Sequence, residues 1–245
     1  MQKNILVIYY SQTGQLEDIV KNIAQPFENN EDYKVTYYNI QLKEDFPFPW
    51  QSDVFFNTFP ESYLQIPSEI LPPSENVLNT KFDLILFGYQ VWYLTPSIPI
   101  ISFLKSEFAE IILKNTPVVT ISATRNMWML SQEKLKVYLK NFNAKLVGNI
   151  ALVDRHDNYT SVLTILRWLT TGQKEKSGML PAAGVSEEEI SGAGKYGKII
   201  ENHFKNNDFT QLQADLVKNG AVEIRPFLVR VEKLGNKIFT ICRNL

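Results

Sequence analysis

The chain has 245 residues, 44% of them hydrophobic, 12% aromatic and 21% charged, a balance that excludes disorder and fibrous repeats and is ample for a buried core. With 25 Lys+Arg against 26 Asp+Glu the formal net charge is −1, so no global field selects nucleic acid or an anionic membrane as partner. The single cysteine, Cys242, excludes an intrachain disulfide and a thiolate metal cluster and favours an intracellular, cytoplasmic location.

In chain order, Ile5 to Tyr10 is a continuous apolar, β-branched and aromatic run, the pattern of a strand buried on both faces of a parallel sheet. It is too short for a signal-peptide core, and the later run Phe82 to Phe87 is broken by Asp83, so no membrane insertion is expected. After the polar turn Ser11-Gln12-Thr13-Gly14-Gln15, apolar residues return at helical spacing at Leu16, Ile19, Val20, Ile23 and Ala24, with Pro26 expected to close the helix. Further strands are predicted at Val35–Ile40, Phe82–Gly88, Val118–Ser122 and Leu146–Val153, and helices at Ser97–Ser106 and Ser131–Phe142. Five apolar strands alternating with helices predict an α/β protein with a doubly wound, five-stranded parallel sheet.

Two regions break this rhythm. Residues 43–80 mix six of the twelve prolines with Phe46, Phe48, Trp50, Phe55, Phe56 and Phe59; the prolines forbid a long element and the aromatics seek cover, so an irregular insertion packed on the body is expected, either as a pocket wall or as a structural flap. Beyond Asp154, Val162, Ile165, Leu166 and Leu169 form one helical face closed by Gly172, and Ser186-Glu187-Glu188-Glu189 is a capping box. Leu228, Val231, Ile238, Ile241 and Leu245 outline a C-terminal amphipathic helix interrupted by Gly235. The chain therefore reads as one domain: core 1–154 with the insertion 43–80, and a helical extension 155–245.

Ligands of such sheets sit at the carboxyl ends of the strands. The first loop offers two hydroxyls, a permissive glycine and free backbone amides at a helix N-terminus, a cradle for an anion. It lacks the glycine–lysine spacing of a nucleotide P-loop, so a monophosphate suits it better than a triphosphate. Tyr9-Tyr10-Ser11-Gln12-Thr13-Gly14-Gln15 resembles the FMN-phosphate loop of flavodoxin-like proteins. The resemblance implies cofactor contacts from Ser11, Gln12, Thr13, Gly14, Gln15 and Leu16, from Gln90, Val91, Trp92 and Tyr93 after the third strand, and from Ser122, Ala123, Thr124, Arg125 and Asn126 after the fourth. Leu16 departs from the family's usual hydroxyl residue, which loses one bond to phosphate, about 1 kcal/mol. Residues Asp154–Asn158, the segment Ser161–Lys174 and Leu180–Ser186 are similar to the dialkylresorcinol condensing enzyme family. That resemblance implies a flavin that aromatises a cyclohexanedione.

Each of these features has a second reading. Trp92 and Tyr93 stack on a flavin ring, or they are core or homodimer-interface aromatics. Arg125 places positive charge beside the flavin pyrimidine, or pairs with a surface carboxylate. His156 carries a proton during catalysis, or is a structural loop histidine; His203 reads as a surface residue. Tyr93, Arg125 and His156 are thus the candidate catalytic residues. Gly192-Ala193-Gly194-Lys195-Tyr196-Gly197 matches a dinucleotide fingerprint but follows a capping box rather than a strand, so close helix packing by small residues is expected. Asn158-Tyr159-Thr160 is a glycosylation triplet without a secretory context, and no spacing of His, Cys and carboxylates suggests a metal. The functions left standing are an FMN-dependent oxidoreductase of a small or lipid-like carbonyl or quinonoid substrate, with NAD(P)H as a transient electron donor; a flavodoxin-type electron carrier; and a flavin-binding module without activity.

Overall fold

A computed structural model of the protein describes residues 2–242, the side chain of Asn158 excepted. The sheet follows from strict alternation in strands buried on both faces. In β1 (Lys3–Tyr9), Ile5, Val7 and Tyr9 face one hydrophobic cluster, and Leu6 and Ile8, with Tyr10 beyond the strand end, face the other. With β2 (Tyr33–Asn39), β3 (Leu84–Tyr89), β4 (Pro117–Thr124) and β5 (Lys145–Val153) it forms a parallel sheet in the order β2-β1-β3-β4-β5. This is the doubly wound, flavodoxin-like order, which reverses between β1 and β3. The five predicted strands are all present, with ends shifted by at most two residues: Tyr10, Ile40, Phe82 and Asp83 fall outside, and β4 begins at Pro117 and runs on to Thr124.

Helix α1 (Gln15–Glu28) lies on the face of Ile5 and Val7. Pro26 does not end it. A proline costs the helix the bond to the carbonyl four residues back, here that of Asn22, and this carbonyl instead faces a second helix, where a Cβ on Gly194 would sit 3.3 Å from it. In the insertion, three short helices, α2 (Ser52–Asn57), α3 (Phe59–Leu64) and α4 (Glu75–Asn79), are all that the prolines permit. Trp50 is buried, whereas Phe48 and Phe56 are exposed, against the expectation that these aromatics find cover. The opposite sheet face is covered by α5 (Ile98–Leu104), by the unforeseen α6 (Glu107–Leu113) and by α7 (Met129–Asn141), which buries Leu135 and Leu139.

The extension contributes α8 (Asn158–Thr171), closed by Gly172 at φ 74°, then α9 (Glu187–Ser191), α10 (Gly194–Lys205), α11 (Leu212–Lys218) and α12 (Pro226–Cys242). Asp157 caps α8, accepting from the amides of Tyr159 and Thr160, and the Ser186 hydroxyl caps α9 by accepting from the amide of Glu189. The glycines before and within α10 serve the close packing expected of them. A Cβ on Gly197 would lie 2.0 Å from the carbonyl oxygen of Ile23, so α10 meets α1 backbone to backbone. Tyr196, Ile200, Phe204, Leu212 and Leu216 join the same buried cluster as Ile5 and Val7, so the extension supplies half of one helical layer. His203 is a half-buried residue at the surface that ties α10 to α11 through Asp215, with Nε2 2.9 Å from Oδ2.

Helix α12 runs unbroken through Gly235, which lets Leu94 approach to 3.5 Å of where a Cβ would stand. Its seat also differs from the apolar face drawn from the sequence. Glu232 is buried while Ile238 and Ile241 are exposed; Leu245 lies outside the described residues.

Candidate functional site

At the carboxyl edge of the sheet, the turn after β1 is shaped by Gly14 at φ 83°, which caps α1. The Ser11 hydroxyl accepts from the amide of Glu17 at 3.3 Å. Among the described residues, the amides of Thr13, Gly14, Gln15 and Leu16 have no protein acceptor. Four N–H groups at the positive end of a fourteen-residue helix are an anion site in waiting. Leu16 turns its side chain into the core, 1% exposed, so only its amide faces the loop.

The two glutamines of this turn are clamps. Gln12 donates through Nε2 to the Pro47 carbonyl at 3.1 Å and accepts from Trp50 Nε1 at 2.9 Å, holding the insertion. Gln15 donates through Nε2 to the Val185 carbonyl and accepts from the Val185 amide, holding the extension. The two held regions then meet: the Trp50 amide donates to the Leu169 carbonyl at 2.7 Å. Insertion and α8 together roof a cavity of about 350 Å³.

Its walls combine the turn (Gln12, Thr13, Gln15, Leu16), the segment after β3 (Gln90 to Leu94), the end of β4 and the loop beyond (Ala123, Thr124, Arg125, Met127), the insertion (Trp50, Phe55, Thr58), α8 (Val162, Ile165, Leu166, Trp168, Leu169), Gly184 and Phe239. The insertion is therefore a pocket wall. Trp92 packs edge-on to Trp50, with ring centroids 5.5 Å apart, and to Tyr10 at 6.3 Å. Leu169 belongs to the apolar helix face and Met127 to the loop after the fourth strand, both visible in the sequence, whereas nothing in the sequence assigned Phe239 to the pocket.

Past β3 the chain makes a two-residue hairpin, Val91–Trp92 against Thr95–Pro96. Both of its central residues, Tyr93 (φ 49°) and Leu94 (φ 63°), lie in the left-handed region without being glycine. Such residues cost of order 1–2 kcal/mol each and persist where surroundings over-determine them. Here the Tyr93 hydroxyl donates to the Phe55 carbonyl at 2.6 Å, Lys134 Nζ donates to the Leu94 carbonyl, and Thr95 Oγ1 bonds the Trp92 carbonyl. Burial pushes the Tyr93 phenol up, and with its proton engaged by Phe55 it is a positioning group in this geometry.

Arg125 is half-buried on the cavity wall and, among the described residues, forms no hydrogen bond and no ion pair. Burial lowers its guanidinium pKa, opposed only by the field of Asp154. An unpaired, partly desolvated cation facing an apolar cavity calls for an anionic or electron-rich ligand. Beside it, Thr124 Oγ1 and Gln90 Oε1 are buried and have no partner among the described residues.

Asp154, fully buried, accepts from the amide of His156, from His156 Nδ1 at 2.7 Å and from Ser161 Oγ at 2.9 Å. The ring of His156 is thereby held in orientation, but it does not line the cavity. Ser122 and Asn126 are buried off the wall, and Arg155 is held by Glu189 and Glu223. Ser11 and Gly14 shape the turn from behind the lining residues. Among the described residues no group of three or more His, Cys, Asp or Glu is placed to hold a metal ion, and no helix is long and apolar enough to cross a membrane.

No family model and no curated protein matches the chain. Similar solved structures include a flavoprotein in complex with FMN from Lactobacillus acidophilus (18% identity, covering 61% of this chain and 93% of that one, TM-score 0.44). Others are an oxidised flavodoxin 1 from Bacillus cereus (11%, 82% and 99%, TM-score 0.46) and a Fusobacterium nucleatum flavodoxin bound to flavin mononucleotide (14%, 83% and 99%, TM-score 0.43). The fold assignment rests on this chain's own strand order rather than on those likenesses.

Proposed function

We propose that the protein binds FMN in this cavity and is an oxidoreductase of a lipid-like carbonyl or quinonoid substrate. The observation that carries the reading is a single cavity with an anion cradle at one wall, an unpaired guanidinium at another and a roof of aliphatic side chains. The residues suit the cofactor. The free amides of Thr13 to Leu16 would receive a phosphate, and the orphaned Gln90 Oε1 and Thr124 Oγ1 offer acceptors for a heterocycle edge. Bound FMN would supply the hydride chemistry, removing or adding two electrons and a proton.

This chain's residues would do the rest. Arg125 would hold the negative charge that grows on a reduced ring or on an enolate, and needs no ion pair broken to do so. Trp92 and the strained turn at Tyr93 would fix the depth of the ring, while Val162, Ile165, Leu166 and Leu169 exclude water and receive alkyl substituents. His156, held by Asp154 beyond the cavity lining, would exchange protons with a substrate only through an intervening group. Aromatisation of a dialkylcyclohexanedione is the specific reaction we infer: the ring gives up two hydrogens, bound FMN would take up the two electrons and an external electron acceptor would reoxidise it, while NAD(P)H is a transient donor where the flavin is instead to be reduced. The roof argues against an electron carrier, whose partner must reach the ring edge.

The test is turnover of a dialkylcyclohexanedione by the oxidised, FMN-loaded protein with an added electron acceptor, in wild type, Tyr93→Ala, Arg125→Ala and His156→Ala, with anaerobic reduction by NADH and NADPH followed on separate samples. We expect substrate oxidation by wild type and at least a tenfold loss in Arg125→Ala, about 1.4 kcal/mol of transition-state stabilisation. Full turnover in all three variants would place the reaction elsewhere. One-electron shuttling to a reductase with no organic substrate oxidised would make the protein a carrier.

A further inference from the structure

Helix α12 presents an unusual outer surface. It is seated by Glu232, which accepts from the amide of Leu130 at 3.0 Å, by Asn236, which meets the Tyr63 hydroxyl at 3.0 Å, and by Phe239 in the cavity wall. Glu232 and Asn236 are thus spent inward. Outward, Phe227 (70% exposed), Leu234 (59%), Ile238 (50%) and Ile241 (74%), with half-buried Val231, recur at spacings of four, three, four and three residues, one continuous apolar stripe along the helix. A second stripe beside it holds Arg230, Lys233 and Lys237, all exposed and, among the described residues, without ion-pair partners. The helix's only carboxylate is the buried Glu232.

We propose that α12 docks the protein on an anionic lipid surface, its apolar stripe entering the headgroup boundary and its three cations meeting lipid phosphates. The same stripe spacing would also serve a helix-to-helix seam between two copies. Charge decides against that occupant. In a parallel self-pair Arg230 and Lys237 would oppose Gly235 and Cys242, and in an antiparallel pair they would oppose each other, so neither arrangement supplies a carboxylate. A planar anionic surface takes the stripe and the cations beside it as they lie, with the inward Glu232 and Asn236 bonds intact. The lipid reading does not depend on what the cavity holds, although Phe239 in the wall and Ile238 at the surface are neighbours on one helix.

Sedimentation of the full-length chain with phosphatidylcholine vesicles, alone or containing about a third phosphatidylglycerol, tests this. Binding is expected to the anionic vesicles only and to fall steeply with salt. Lys233→Glu with Lys237→Glu should lower partitioning tenfold or more, since each cation near such a surface contributes about 1 kcal/mol, roughly fivefold. Leu234→Asp should do the same, while Ile111→Asp, at an equally exposed position on α6 (58%), should leave it unchanged. Circular dichroism establishes that each variant is folded; should Leu234→Asp fail, the lysine pair decides. Absence of binding, or equal binding to neutral vesicles, overturns the proposal. So does a wild-type dimer in light scattering that Leu234→Asp converts to monomer, because the stripe is then a self-interface.

Discussion

Helices α10 and α12 belong to the same C-terminal extension and are both amphipathic, yet they seat themselves in opposite ways. Helix α10 buries its apolar face, Tyr196, Ile200 and Phe204, and meets α1 so closely that only glycine fits at position 197. Helix α12 buries a carboxylate, ties in a half-buried asparagine and turns four large apolar residues outward. The first is part of the core that makes the sheet stable; the second is fastened by a few directional bonds over the cavity. Amphipathicity alone therefore does not say which face of a helix is inside. Complementary geometry on the neighbouring element does.

Substitutions that exchange these two logics should separate them. The largest effect is expected at Gly197→Ala, where the new Cβ meets the Ile23 carbonyl oxygen at 2.0 Å; forcing α10 off α1 should cost about 3 kcal/mol or more in denaturant unfolding. Glu232→Leu comes next, about 2 kcal/mol, because the amides of Leu130 and Met129 at the α7 N-terminus lose their acceptor. This carboxyl is held above the usual range chiefly by burial, against the amides that favour its charged form. A folded-state pKa above the unfolded 4.5 means that the group's contribution to stability is full below that value and is lost as pH rises through the raised one. The stability difference between wild type and Glu232→Gln should therefore shift in favour of wild type on acidification from neutrality, by less than the Leu variant costs.

A smaller effect, of opposite sign, is expected for Arg125→Met. Removing an unpaired, partly desolvated cation should stabilise the ligand-free protein by about 1 kcal/mol in thermal unfolding, while weakening retention of an anionic ligand tenfold or more. At the foot of the series, Leu234→Asp should change stability by no more than about 0.5 kcal/mol, being exposed.

Much of this molecule could be read from its residues. Continuous β-branched runs mark strands buried on both faces, and Gly14, Gly172 and Ser186 stand where the turn and caps require them. What escaped reading depends on partners distant in sequence. Pro26 stays inside α1 in a helix whose backbone packs against Gly194 and Gly197. The left-handed turn at Tyr93 and Leu94 carries no glycine or asparagine to announce it; it is imposed by Phe55, Lys134 and Thr95. Gln12 and Gln15 look like cofactor ligands in a phosphate loop, but their side chains are taken by Pro47, Trp50 and Val185. The apolar spacing of α12 was visible, and the polar pins that turn it outward were not.

The claim on which the rest depends is that the cavity between the β1–α1 turn and α8 receives FMN. Incubation of the purified protein with FMN, gel filtration and a visible absorption spectrum address it directly. The account predicts a yellow protein retaining about one flavin per chain, with retention lost in a Gly14→Val variant whose Cβ cannot adopt φ 83° without strain. A wild-type protein that elutes colourless would contradict it.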